Sequence, residues 1–178
     1  MKDETTEKII EAASALIAER GVWGMSIGEI AAQVGVSKGT MHYYFPTKQD
    51  LVAAAAKRSL KRISDSLFAW VDSVNSEEDP TAAVERLCDA LLPEDSPLRV
   101  FIAVNGVVEP GSELETLLDS SMSEWNVMIE VGSMRMRADA SSKMKRMSAA
   151  ILPFLSGLAA LNADSGYAKA AFTALIMG

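Results

Sequence analysis

Apolar residues recur every three or four positions along most of the chain, and no stretch sustains the two-residue alternation of a half-buried strand. The pattern predicts an all-α protein of about nine helices. The first runs from about Thr6 to Arg20, with Ile9, Ile10, Ala13, Leu16 and Ile17 on one stripe. Gly21 follows and suits a left-handed cap. Ser26 and Glu29 stand three apart, the spacing of a capping box, with Met25 and Ile30 placed as its hydrophobic staple. The second helix ends at Gly35. Ser37 then caps a short third helix, which Pro46 stops. Thr47, with Asp50 three residues on, caps a fourth from Lys48 to about Val74. Asn75 to Pro80 is a polar break. Further helices are expected at 81–92, 97–108, 113–137, 141–163 and 166–177, and Pro153 should kink the eighth.

Two short helices joined by a tight turn, after a longer supporting helix, describe a helix-turn-helix. Ile27, Ile30, Ala31, Val34, Val36, Met41 and Phe45 supply its inward face. Lys38, Gly39, His42 and Tyr43 are left to point outward. Gly39 and Thr40 keep the start of the third helix slim, so that its backbone can approach a groove floor. Thr40, Tyr43 and Lys48 can donate to phosphates.

Charge first argues against this. The chain carries −7 overall, and phosphate contacts need Lys and Arg. Its distribution reverses the argument. Residues 1–62 hold nine Lys/Arg against seven Asp/Glu, whereas residues 63–178 hold eight against seventeen. Between Val36 and Arg62 stand Lys38, Lys48, Lys57, Arg58, Lys61 and Arg62 against Asp50 alone. A local basic face on an acidic body is compatible with docking on DNA. For Lys57, Arg58, Lys61 and Arg62 themselves, a solvated face is the preferred reading over direct DNA contact.

The segment IGEIAAQVGVSKGTMHYYFPTKQDLV resembles the signature of the TetR family of transcriptional regulators, and the resemblance runs from about Ile9 to Val52. It rests on Gly21, the Ile30-Ala31 pair, the run Val36 to Thr40, the aromatics Tyr43 and Phe45, and Lys48 with Leu51. At His42 the family usually has an aromatic, and at Tyr44 often His, so no operator sequence is carried over. The resemblance implies a helix-turn-helix DNA-binding domain at 1–47 and a helical effector-binding and dimerisation domain at 48–178. Ser37, Lys38, Gly39, Thr40, His42, Tyr43 and Lys48 are the expected DNA contacts. The partner is then double-stranded DNA with a near-palindromic operator. The function expected is a repressor released by a small, largely apolar effector. The alternative is a DNA-binding regulator without such a ligand, controlled by a protein partner or constitutive.

The resemblance also implies an effector pocket among the fifth to seventh helices. Phe101, Asn105, Trp125, Met128 and Ile129 are its candidates, and for each of them a plain core role stands beside the pocket role. Asn105 draws notice as a polar group on a mostly apolar helix, which needs a neighbour, a water or a ligand. A homodimer is expected through the last two helices. On the eighth, Met144, Met147, Ile151, Leu155 and Leu158 form one stripe, while small residues including Ser148, Ala149, Ala159 and Ala160 form a second. Ala159, Ala168, Phe172 and Leu175 are the expected interface.

Other classes recede. No Gly-rich phosphate loop, metal cluster or nucleophile elbow appears, so no enzyme and no cofactor are expected. His42 lacks the companions of a catalytic base. Cys88, the single cysteine, reads as a small buried hydrophobe. No apolar run is long enough for a bilayer and the N-terminus lacks the apolar core of a signal peptide, so no membrane partner and a cytoplasmic location are expected.

Overall fold

A computed structural model describes residues 2–93, 95–136, 138–161, 163 and 165–177, with side chains for all of these except 2, 3, 138–140, 143, 165, 176 and 177. Among the described residues there are nine helices and no strands: α1 (Lys2–Gly24), α2 (Ile27–Val34), α3 (Lys38–Tyr44), α4 (Lys48–Ser73), α5 (Pro80–Leu91), α6 (Pro97–Asn105), α7 (Glu113–Met134), α8 (Ala138–Ala160) and α9 (Ser165–Met177). No helix is long and apolar enough to cross a membrane among these residues.

The punctuation explains most boundaries. Gly35 caps α2 in the left-handed region, at φ 75 and ψ 33. Ser37, Asp79, Ser96 and Ser112 each accept a backbone N–H of the helix they cap. Thr47 and Asp50 form the complete reciprocal box, Thr47 Oγ1 accepting from the Asp50 N–H and Asp50 accepting from the Thr47 N–H. Pro153 lies inside α8, which runs on through it.

Two local expectations need correction. Ser26 precedes α2 but makes no side-chain cap. Its intended partner, Glu29, is instead bound by Arg20 at 2.9 Å, so a charge-assisted contact from the end of α1 displaces the box. Gly21 has φ 72, yet its ψ is 173, and the chain goes on through Val22 to Gly24 as a further helical turn. The glycine is therefore a kink that buries Val22 and leaves Trp23 outside, and not a left-handed cap.

One apolar core runs from Ile9 on α1 to Phe172 on α9. α4 is its spine, packing against α1, α5, α6 and α7. Three of its buried polar groups are matched: Trp70 Nε1 donates to the Ala83 carbonyl at 2.8 Å, Ser59 to Pro97 O at 2.6 Å, and Ser96 to Leu91 O at 2.6 Å. Cys88 sits in this core, and burial pushes its thiol up to about 12. It is an inert hydrophobe.

The tightest junction is where α7 crosses α4. A Cβ built on Gly132 would lie 2.2 Å from the Trp70 ring, and that ring is buried and anchored through its N–H. Gly132→Ala should therefore force the helices apart and cost about 2 kcal/mol, the usual scale of overpacking. The thermal midpoint should fall by roughly 4–8 °C. An unchanged midpoint would show that α4 and α7 can separate freely.

Candidate nucleic-acid interface

The helix-turn-helix forms from the inside outward. Ile30 and Ala31 of α2, with Met41 and Phe45 around α3, are buried, and Ile27, Val34 and Val36 pack half-buried against them. The αL cap at Gly35 turns the chain, its N–H and that of Val36 returning to the last turn of α2. Seven residues of α3 are thereby held by their apolar side alone.

The opposite side of α3 is exposed. It presents Lys38, Gly39, His42 and Tyr43, and Tyr43 is 70% exposed with its ring edge-on to Tyr44 at 5.4 Å. The stem of Lys38 passes over Gly28, whose added Cβ would stand 3.6 Å from Lys38 Cε. His42 Nδ1 lies 3.4 Å from the Pro46 carbonyl oxygen; when Nδ1 carries the proton, Nε2 remains an acceptor. Ser37 and Thr40 are committed to the helix start. Ser37 Oγ accepts the Thr40 N–H at 3.0 Å and lies 2.8 Å from Thr40 Oγ1.

Lys48 occupies a place its position in the chain did not reveal. Its ammonium donates to the Met25 carbonyl at 2.8 Å, tying the α1–α2 link to the first turn of α4. An ammonium has three N–H groups, so two remain for a phosphate. The basic run farther along α4 is largely paired: Arg58 with Glu7, Lys61 with Asp65 at 2.7 Å, and Arg62 with Asp95 at 2.7 Å. These pairs support the reading of a solvated, structural face. Arg58 ties α4 to α1, and Arg62 ties it to the link before α6.

The body treats its candidates unequally. Phe101, Trp125 and Ile129 come together and are buried. Phe101 meets Trp125 edge to face at 5.2 Å, and Trp125 Nε1 donates to Ser64 Oγ at 2.9 Å. Met128 packs half-buried beside this cluster. Asn105 does not join it: it is exposed at the end of α6.

The expected interface residues need a further correction. Ala159, Ala168 and Phe172 are buried in the protomer's own core, and Phe172 stacks on Phe154 at 5.8 Å. Of the four, Leu175 alone is exposed. The exposed face of α8 is instead Ala149, Ala150, Pro153, Gly157 and Ala160; on α9 it carries Tyr167, Ala170 and Ala174. On α8 the exposed face between Ala149 and Ala160 is made of small residues and Pro153, whereas Ile151, Leu152, Leu155 and Leu158 close the protomer.

Residues 9–55 match the family described as bacterial regulatory proteins, tetR family. Over 126 residues the chain is 26% identical to the HTH-type transcriptional regulator YvdT of Bacillus subtilis, covering 70% of this chain and 59% of that one. The chain thus spans about three-fifths of that relative's length. Its fold is shared with a transcriptional regulator from Saccharomonospora viridis solved in complex with choline, at TM-score 0.77 and 22% identity over 98% of this chain and 96% of the other. It is shared too with AibR, solved in complex with isovaleryl coenzyme A and operator DNA, at TM-score 0.71 and 15% identity over 97% and 98%. The matched segment is the one in which an apolar face holds α3 with its polar side outward, and residues 9–55 belong to the tetR family of bacterial regulatory proteins.

Proposed function

We propose that the chain is a transcriptional repressor that binds a near-palindromic operator as a homodimer and is released from it by a small molecule. Residues 1–47 are the DNA-binding domain and residues 48–178 the effector-binding and dimerisation body. α3 enters the major groove. Lys38, Gly39, His42 and Tyr43 meet the groove; Ser37 and Thr40 fix the start of the helix at the backbone; Lys48 takes a phosphate. The observation that carries this reading is the exposed polar face of α3, held rigid by Met41 and Phe45 beneath it. The operator DNA and the acyl-coenzyme A in the AibR structure, and the choline in the Saccharomonospora structure, support the two partner classes.

Dimerisation uses the exposed small-residue faces of α8 and α9. A Cβ on Gly157 would meet nothing within 4 Å, so a partner helix can approach closely there. Two-fold symmetry then sets two recognition helices about 34–36 Å apart, one turn of DNA.

Selection from a random duplex pool should recover a near-palindrome with half-sites one turn apart. On that duplex Lys48→Ala should weaken binding to all sequences alike and lower the salt slope by about one. Tyr43→Ala should also weaken it. Recovery of no enriched sequence, or parental affinity in both variants, would overturn the assignment.

A further inference from the structure

A cleft of about 360 Å³ opens where the DNA-binding helices meet the body. Its walls come from four places: Val22 and Trp23 at the end of α1, the first turns of α4, the α6–α7 link around Val107, and the start of α7 at Leu114. The cluster around Trp125, by contrast, is closed, with Phe101, Trp125 and Ile129 all buried. This ligand-sized opening lies at the junction of the body with the DNA-binding helices.

We propose that this cleft is an effector site for a neutral, flat, largely apolar molecule of one or two aromatic rings. Trp23, 82% exposed, supplies a stacking face. Valine, alanine and leucine side chains supply most of the remaining wall. Lys48 and Asp50 each have a partner within the protein, Lys48 keeping two of its three N–H groups, and Glu109 adds a second carboxylate to the wall. Lys48 donates to the Met25 carbonyl at 2.8 Å. Asp50 accepts from both the Thr47 N–H at 3.0 Å and the Thr47 hydroxyl at 2.7 Å. The start of α7 is served by its own side chains: Ser112 Oγ accepts the Glu115 N–H, and Glu115 accepts the Gly111 N–H. A ligand anion would meet two carboxylates, Asp50 and Glu109, against the single ammonium of Lys48, which already donates to the Met25 carbonyl. Desolvating a charged group without a partner is costly, so the cleft selects against anions.

The position gives the site a consequence. A molecule here touches α1 and the start of α4 on one side, and the α6–α7 link on the other. It binds one angle between them better than others, and only such differential affinity shifts a population. This regulatory half rests on the DNA-binding reading above; the binding half does not.

The test is a titration of the free protein with 2-naphthol, followed by the indole N–H and backbone amide resonances in two-dimensional NMR. The expected result is a saturable shift of the Trp23 indole and of the Ala53 and Val107 amides, with Trp125 unmoved. Trp23→Leu, at an exposed position, should bind at least tenfold more weakly by the same amides. Naphthalene-2-sulfonate, of the same shape but anionic, should also bind at least tenfold more weakly than 2-naphthol. Shifts confined to Trp125, or no saturation, overturn the site, and equal affinity for the sulfonate overturns the ligand class. A second arm measures affinity for the selected duplex, which 2-naphthol should change at least threefold in the parent and not in Trp23→Leu. Binding in the cleft with unchanged duplex affinity overturns the regulatory half. A chain that binds no DNA at all fails the earlier reading, while the titration still decides the site.

Discussion

Phe172→Glu should unfold the C-terminal half of the protomer, not release a folded monomer. Phe172 lies fully buried in α9 and stacks on Phe154 of α8. Losing a buried Phe costs about 3–5 kcal/mol. Burying a carboxylate without a partner adds to that or forces the helix away. The sum exceeds about 4 kcal/mol, a large part of a total stability of roughly 5–15 kcal/mol. Circular dichroism during heating should show an early or missing transition. Gly157→Glu is the contrasting variant. An added Cβ meets nothing within 4 Å in the protomer, so α8 accepts the side chain, while the face it places in the interface gains a charge. Sedimentation should then show a helical monomer with weakened DNA binding. A Phe172→Glu protein that stays folded and merely monomeric would return Phe172 to the interface and displace the exposed face proposed here.

The contrast between these residues shows what the sequence could tell. Apolar periodicity identified α8 and α9 and both of their stripes, since helical spacing is a local property. It could not say which stripe closes the protomer. Size decides that: Leu152, Leu155 and Phe172 bury more area inward than Ala149 or Gly157 could. The same limit appears at the caps. Thr47 and Asp50 form their box because both partners are local, and the spacing foretold it. Ser26 and Glu29 have the same spacing but fail, because Arg20 reaches Glu29 across the turn at 2.9 Å. The position of Lys48 points to a phosphate donor, whereas its bond to the Met25 carbonyl joins residues 23 apart in sequence. Asn105 is a polar residue on an apolar helix, but α6 ends with it and leaves it exposed. Trp23 carried no signal at all. Its exposure follows from the ψ of Gly21, which no spacing rule supplies. The recognition helix was the most legible part, because its cap Ser37 and its breaker Pro46 lie within a dozen residues.

Gly39→Leu should cost the chain its operator while leaving its fold intact. Gly39 is the second residue of α3, on the exposed side. A Cβ built there meets only Ser37 Oγ, at 3.7 Å, an ordinary contact. Nothing inside the protomer therefore requires a glycine. Helix propensity argues against one, since glycine is roughly 0.8–1 kcal/mol less favourable than alanine in a helix interior. The thermal midpoint of Gly39→Ala should accordingly match or exceed that of the parent, and Gly39→Leu should stay close to it. On DNA the order reverses. If the backbone of α3 lies against the groove floor at this point, a Cβ adds one contact too many and a leucine side chain holds the helix off the base edges. Lys38, His42 and Tyr43 then lose their reach together. The expected loss for Gly39→Leu is about a hundredfold, or roughly 2.8 kcal/mol, with Gly39→Ala between it and the parent. Anisotropy titrations on the selected duplex, run beside thermal melts of the same preparations, would separate the two effects. If Gly39→Leu binds as tightly as the parent, α3 does not approach the groove by this face, and its glycine has no account in either the fold or the complex.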